Sequence, residues 1–431
     1  MDPIAYGVDF GTTNSAISIA YADHVEVLPV ETQAPETQLP SIIYLHRATG
    51  EASGSEAVRA YLASGSRKTR CSDCSLVDHT LRLSDCRQYK PGGSCHDARL
   101  MSGLKEHLSD AGLPGTSSWA QAFAVPDLVG VILRRLKRAA DRHVGADVRR
   151  VVLGHPVNFP GTEGASYQTL QQVALDRLEQ AAQVAGFEEC ALFPEPAAAL
   201  VDEQLDHGTV MALDFGGGTF DAALVRFGSE GGTVVALQGA DVGGELFNAE
   251  LFDAKIVPSI GLDRAGVPAY IQSRLRTMGG ATFLMNDSNF WMSIQDVDVL
   301  REVFSGGHVF NFYRAIEDAK IRLSTAGETR IELHRPGVDI DIPVTRGELE
   351  VRLRPHIDLV SEVILRTLTQ AGESANSVDL VIRTGGTSNV PAFVDMITDL
   401  FGAEKVQARH SFDSVAHGLA SQAQLLWGND A

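Results

Sequence analysis

Positive charge is in short supply: 36 lysines and arginines face 55 aspartates and glutamates, a formal net charge of −19 over 431 residues. A nucleic-acid or anionic-membrane surface needs a basic patch, so both partner classes are excluded as expectations. Cysteine is rare, with 5 in the chain, and cannot form a disulfide scaffold of the small secreted kind. No apolar run approaches the roughly 18 residues that span a bilayer. Met1-Asp2-Pro3 is not a basic stretch leading into an apolar core, so no secretory signal is read there. These absences point to a cytoplasmic protein. What is present is ample apolar content (44%) and 41 glycines, enough chain for about two to four domains.

The glycines are not evenly spread. Val210-Met-Ala-Leu-Asp-Phe-Gly-Gly-Gly-Thr-Phe-Asp221 runs from an apolar strand through Asp214 into Gly216, Gly217 and Gly218, then Thr219 and Asp221. Two apolar runs around a Gly-rich turn read as a β-hairpin whose bare backbone N–H groups can meet phosphate oxygens. Asp214, at the strand end, is placed to hold Mg²⁺ through water. Ala5-Tyr-Gly-Val-Asp-Phe-Gly-Thr-Thr-Asn-Ser15 repeats the device around Asp9. The pair reads as two halves of one clamp on a triphosphate; ordinary Gly-rich turns are the bland alternative.

Along the chain, strands are expected at 4–9, 15–21, 25–29, 41–45, 150–155, 191–193, 233–240, 328–334, 338–343 and 378–382. Helices are expected at 56–63, 99–107, 127–143, 166–185, 310–324, 355–371 and 412–426. The stretch 250–305 reads as helical with breaks at Pro258, Pro268 and Gly279-Gly280, and Thr345 caps a helix with Glu348 three residues on. Residues 65–96 lose all periodicity and carry four of the five cysteines. Cys71-Ser-Asp-Cys74 with Cys86 and Cys95 suits a structural zinc that would order the loop, with His79 and His96 as spare ligands. A redox pair, an iron–sulfur cluster or plain free thiols remain open. Cys190, in an apolar run, reads as a core thiol.

Three features are ambiguous on residue type alone. Lys105 falls beside the apolar face of 99–107 and reads as a surface lysine. Glu195 precedes Pro196 at a helix start, where a carboxylate either satisfies the helix dipole or orients a water. Glu317 and Lys320, at i and i+3, fit a surface pair. Finally Arg383-Thr-Gly-Gly-Thr-Ser-Asn-Val-Pro391 is a strand, a Gly-Gly turn and a helix start, which allows close backbone approach to a ligand.

Taken in order, these turns resemble the nucleotide-binding domain of the seventy-kilodalton heat-shock (DnaK-like) chaperones, of the actin, hexokinase and heat-shock superfamily. Val8–Ser15 is similar to the first phosphate motif and Asp214–Asp221 to the second. Glu195-Pro-Ala-Ala-Ala199 resembles the connecting motif, Gly243-Gly-Glu245 a lobe contact, and Gly385-Gly-Thr-Ser388 the adenosine motif. Gly154-His-Pro-Val-Asn-Phe159 and Ser102-Gly-Leu-Lys-Glu-His-Leu108 bring it nearest to the short YegD-like members.

The resemblance implies an α/β, actin-like ATPase fold with two lobes, each a mixed sheet flanked by helices (a ribonuclease H-like core), around a central nucleotide cleft. Lobe I would cover 1–208, with a cysteine-rich insertion at 65–98, and be completed by a helix in 409–431. Lobe II would cover 209–408, with an upper part at about 248–330. ATP or ADP and Mg²⁺ are the implied cofactors. Lys105 would hold the attacking water, reversing its surface reading; Glu195 would help position it; Asp9, Asp214 and Asp221 would arrange magnesium and water. Gly11, Thr12, Thr13, Asn14, Gly216–Gly218 and Thr219 would hold phosphates, with Gly243, Gly244 and Glu245 behind them. Glu317, Lys320, Ser324, Gly385, Gly386, Thr387, Asn389 and Asp413 would surround the nucleoside. Set against that family, Ile321 and Asn389 stand where two adenine-stacking arginines are expected, and no peptide-binding domain is expected after Leu426. The implied function is a slow chaperone-type ATPase acting as a nucleotide-gated switch on an unknown protein partner. A nucleotide-dependent scaffold with negligible hydrolysis is the second reading, and a small-molecule kinase of the same superfamily the third.

Overall fold

The computed structural model describes residues 2–31, 36–46, 49–64, 98–118, 121–161, 167–201, 207–229, 231–285, 287–409 and 413–428. Two mixed sheets organise them, and they share one plan: an antiparallel meander extended by two parallel strands. In the first, Ala5–Phe10 pairs antiparallel with Asn14–Ala20, which pairs with Val25–Val27. On its other side Ala5–Phe10 pairs parallel with Arg150–His155, and that strand with Glu189–Pro194. In the second, Gly208–Phe215, Phe220–Gly228 and Gly231–Ala240 form the meander, and Leu380–Thr384 and Val406–Ala408 add the parallel strands.

Strands covered on both faces must be apolar throughout. Val151–Leu153 and Val210–Leu213 accordingly have almost no exposure. The first sheet carries the helices Val125–Val144 and Tyr167–Ala185 over one core. The second shares the larger core with Arg346–Ala371, Val309–Leu323 and the short helices of 244–305. The chain closes on itself at its end: Ser414–Trp427 packs across Ala5, Ala20 and Val152 of the first sheet. Gly418 makes this possible, because a Cβ there would sit 1.8 Å from the Ala198 carbonyl oxygen. This is the α/β, actin-like fold that the motifs implied.

The structure corrects several local expectations. Residues 99–107 are not a helix: Ala98–Met101 is a strand paired with Ile43–His46, and Leu104–His107 is a 3-10 turn. Gly103 separates them at φ 64°, where the i, i+4 spacing of the leucines cannot continue as one helix. Pro355 does not start a helix. It lies inside Arg346–Ala371, which opens at the expected Thr345–Glu348 capping box. Pro355 and Val351, whose carbonyl loses its partner, both face solvent, so water can take up that carbonyl. Gly279-Gly280 sits within Met278–Leu284 rather than breaking it; the break falls at Thr277, whose hydroxyl accepts from Gly280 N at 3.1 Å. Glu195 is itself the first residue of Glu195–Ala198, with Pro194 as the cap. Cys190 is half-buried against the first core, its thiol pushed up to about 12 by burial first and Glu179 second. Cys71, Cys74, Cys86 and Cys95, with His79 and His96, lie outside the described residues.

Candidate functional site

Strand register brings the acidic groups together. Asp214 is the last but one residue of Gly208–Phe215 and stands opposite Asp221 on the antiparallel side and Thr384 on the parallel side. Thr384 Oγ1 donates to Asp214 Oδ1 at 2.8 Å. Thr219 Oγ1 donates to Asp221 Oδ2 at 2.8 Å, and Val157 N reaches over from the first half to Asp221 Oδ1 at 2.9 Å. Asp9 holds the matching place in the first hairpin, one residue before its last pair Phe10–Ser15. The two bends meet. A Cβ on Gly217 would lie 2.6 Å from Thr13 Oγ1, and one on Gly218 would lie 3.0 Å from Thr12 Oγ1. Side chains there would hold the bends apart.

Between the bends sits one buried ammonium. Lys105, 6% exposed, donates to Glu195 Oε1 at 2.6 Å. Burial opposes its charge, yet Glu195 and Asp9 hold its pKa above the ordinary lysine value. The carboxyls around it are raised as well, which for them favours the neutral form. Asp9 rises well above the usual range through burial first, then Glu195, with Lys105 opposing. Asp214 is raised to about 6 by burial and Glu195, against Thr384 and Lys105. Asp221 rises well above its ordinary value by burial and Glu195. Four carboxyl groups therefore share one cation. That excess of negative charge, all from oxygen donors beside glycine-backbone turns, fits Mg²⁺ held through water and phosphate oxygens. Among the described residues no cluster of three or more His, Cys, Asp or Glu side chains is arranged to hold a metal ion by itself.

The second wall is pinned to the second bend. Gly244 N donates to Gly216 O at 3.1 Å and Glu245 N to Gly217 O at 2.7 Å. Lys320 Nζ donates to Gly244 O at 3.1 Å and to Glu317 Oε2 at 2.9 Å, so this pair is largely buried and no surface decoration. The adenosine-type turn needs glycine: Gly385 has φ 82°, and a Cβ would fall 2.1 Å from Phe215 O. Thr387 Oγ1 ties the turn back to Gly216 O at 3.4 Å.

These walls enclose a cleft of about 850 Å³. Asp9, Gly11, Thr12, Thr13, Asn14, Lys105, Glu195, Asp214, Gly216–Gly218, Thr219, Gly244, Glu245, Glu317, Lys320, Ser324, Gly385, Gly386, Thr387 and Asn389 all line it. Three anticipated residues do not. Asp221 is 1% exposed behind the wall, while Gly243 packs on the Gly217–Gly218 backbone and Asp413 stands outside the lining. Asp413 still adds to the charge that raises Asp9, and its Oδ1 is buried without a partner. Ile321 is half exposed in the lining, and Asn389 Oδ1 accepts from Arg383 Nη1 at 3.2 Å.

Sequence reasoning missed the roof. Met278 and Phe310 pack against Ile42, Tyr44 and Tyr61, and Phe283 enters the first core with its ring 4.2 Å from that of His107. Thr384 and Asn248 were missed too. Thr384 was findable as the strand residue level with Asp214, and Asn248 only from three-dimensional neighbours.

A family model described as Hsp70 protein matches residues 5–258 and 308–431. That interval runs through the cysteine-bearing stretch, which was expected to stand outside the resemblance, and instead leaves 259–307 unmatched. Similar curated proteins are named "Chaperone protein DnaK". The one from Thermosipho melanesiensis is 24% identical, over 98% of this chain and 59% of its own length. That from Thermosipho africanus is 25% identical, over 98% and 59%. That from Buchnera aphidicola subsp. Schizaphis graminum is 24% identical, over 98% and 60%. The chain thus spans about three fifths of the length of these relatives.

Proposed function

We propose that this chain, which belongs to the Hsp70 family, binds a magnesium-complexed adenine nucleotide in the cleft and hydrolyses ATP slowly. The nucleotide state would set a conformation that a protein partner reads. The observation that carries this reading is the single buried ammonium of Lys105 held among Asp9, Glu195, Asp214 and Asp221 where two glycine bends meet.

Phosphoryl transfer to water depends on positioning and charge neutralisation rather than covalent chemistry. Bound Mg²⁺ would supply charge neutralisation at the phosphate oxygens, with Asp9 and Asp214 holding it through water. The bends at Gly11–Thr13 and Gly216–Thr219 present backbone N–H groups and hydroxyls to the phosphates. Lys105 stabilises the negative charge that develops, and Glu195, 2.6 Å from it, fixes where that ammonium sits and can orient a water. Asp221, tied to Thr219 and to Val157 N, keeps the second bend in register with the first half. Met278 and Phe310 line one side of the cleft, and closure of that roof over a bound nucleotide would exclude water and supply the conformational output.

The chaperone role carried by the relatives' names comes to this chain as part of the same proposal. A single-turnover assay tests it with wild type, Lys105→Ala and Asp214→Ala. Magnesium-dependent hydrolysis in the wild type, lost in both variants, is the expected result. No hydrolysis in the wild type would leave a nucleotide-dependent scaffold instead.

A further inference from the structure

The first half meets the roof at two glycines. A Cβ on Gly103 would lie 3.0 Å from Gly279 Cα, and one on Gly279 would lie 3.2 Å from Gly103 Cα. The Glu106 carboxyl runs along this seam. Its Oε2 is 3.5 Å and 3.6 Å from those two Cβ positions, and its Cγ is 3.9 Å from a Cβ built on Gly218 of the second bend. One side chain of the 104–107 turn thus stands against the roof and the bend at once. His107 follows it, with its ring 4.2 Å from that of Phe283 in the roof and its Nε2 buried without a hydrogen-bond partner.

An acid at such a seam is normally met by a base. The charges that act on Glu106 from the second half are instead acidic: Glu245, whose N–H donates to Gly217 O at 2.7 Å, and Asp241, whose Oδ2 accepts from Gly161 N at 2.7 Å. Cations on the surrounding elements are directed elsewhere. Lys105 goes to Glu195, Lys320 to Glu317 and Gly244 O, Arg99 to Thr116 and the Thr282 carbonyl, and Arg177 to the carbonyls of His107 and Leu108. The roof helix Met278–Leu284 carries no ionisable side chain. Burial first, then Glu245 and Asp241, push Glu106 up to about 8. Burial first, then Arg274, hold His107 down to about 4, with Asp110 opposing. Glu245 itself is pushed up to about 7 by burial, with Lys320 opposing and Glu317 adding. At pH 7 the seam therefore closes on a neutral acid and a neutral imidazole.

We propose that this seam is a proton-operated latch: the uncharged Glu106 lets the roof close on the first half, and its ionisation opposite Glu245 releases the roof. The inference does not rest on the nucleotide reading. Met278 lines the cleft, so release at the seam opens the cleft on that side. Hydrated in the released state, Glu106 returns towards its ordinary 4.5; its contribution to closure is complete below about pH 4.5 and is lost as pH rises through 8. His107 acts in the opposite sense: its contribution is present above its ordinary 6.5 and lost as pH falls through 4. The two slopes cancel between about pH 4.5 and 6.5. Above that only the carboxyl effect remains, and opening becomes up to about tenfold easier per pH unit until pH 8.

The test is amide hydrogen exchange of the full chain at pH 6.5 and pH 8, corrected for intrinsic exchange rates. Protection of 278–284 in the wild type is expected to fall by about 10–30-fold across that interval, while amides of Val125–Val144 keep theirs. Glu106→Gln, which fixes the neutral shape, is expected to hold 278–284 protected at both pH values. Glu245→Gln removes the facing charge and is expected to shrink the fall. Equal protection of 278–284 at the two pH values in the wild type overturns the proposal without any variant. So does an equal fall in Val125–Val144, which is general loosening, or an undiminished fall in Glu106→Gln with a wild-type melting transition.

Discussion

Neutralising Asp214 is expected to stabilise the nucleotide-free protein while removing its response to magnesium. The Asp214 carboxyl is raised from its ordinary 3.8 to about 6, first by burial and then by Glu195. Its folded pKa exceeds its unfolded one, so the folded state binds the proton more tightly. Stability from this group is complete below about pH 4 and is lost as pH rises through 6. Keeping the carboxylate charged in the fold above pH 7 therefore costs about 3 kcal/mol, a ceiling because the group keeps part of its surface open to the cleft. Asp214→Asn removes that cost yet keeps an oxygen for the Thr384 hydroxyl, now at 2.8 Å. It also takes away a charge that raises Asp9 and Asp221. The gain corresponds to a melting increase of at most roughly 6–12 °C if the unfolding unit has about 200 residues. Thermal unfolding of both proteins from about pH 3 to 8 measures it: the curves should coincide at the acid end, separate between about pH 4 and 6, and stay apart above that. Saturating magnesium nucleotide should then raise the wild type by about 2.7 kcal/mol at 100 times its Kd, and the variant far less. A variant less stable than wild type at pH 8, or a gap independent of pH, would refute the electrostatic reasoning.

Three further outcomes are expected. Lys105→Ala leaves four carboxyls without their cation; turnover should fall by about 10²–10³ and stability at neutral pH by about 3–5 kcal/mol, with unfolding curves converging on wild type as acid protonates the cluster. Gly385→Ala forces a Cβ to within 2.1 Å of Phe215 O at φ 82°, so it should lower the melting temperature and abolish nucleotide binding, whereas wild-type binding would show that the turn is not the nucleoside wall. Elemental analysis of chelator-free protein tests the zinc expectation read from the spacing of Cys71, Cys74, Cys86 and Cys95: about one zinc per chain is its outcome, and none removes it.

The floor of the site was legible because its chemistry is written locally. An acid, a glycine-bearing bend (Gly11 in one, Gly216–Gly218 in the other) and a hydroxyl lie within eight residues at both hairpins, and strand pairing then sets Asp214 against Asp221 and Thr384. Lys105 was not legible that way. Its neighbours Leu104 and Leu108 suggest a helix with a wet flank, but Gly103 redirects the chain and buries the ammonium on Glu195, 90 residues away. Only the family wording pointed to it. The roof is a purely tertiary product, since nothing near Phe283 or Met278 in sequence announces that each packs on the other half. Pro355 misled for a related reason. The rule that proline starts or ends a helix assumes a carbonyl with no alternative, and here the freed carbonyl of Val351 faces water.

The central claim is that one magnesium-bound nucleotide sits where the two acidic bends meet. Calorimetric titration of the wild-type chain with ATP, with and without Mg²⁺, tests it most directly. One site per chain, with affinity that falls at least tenfold when magnesium is withheld, is the result the account predicts. No heat of binding, or equal affinity with and without the ion, would contradict it.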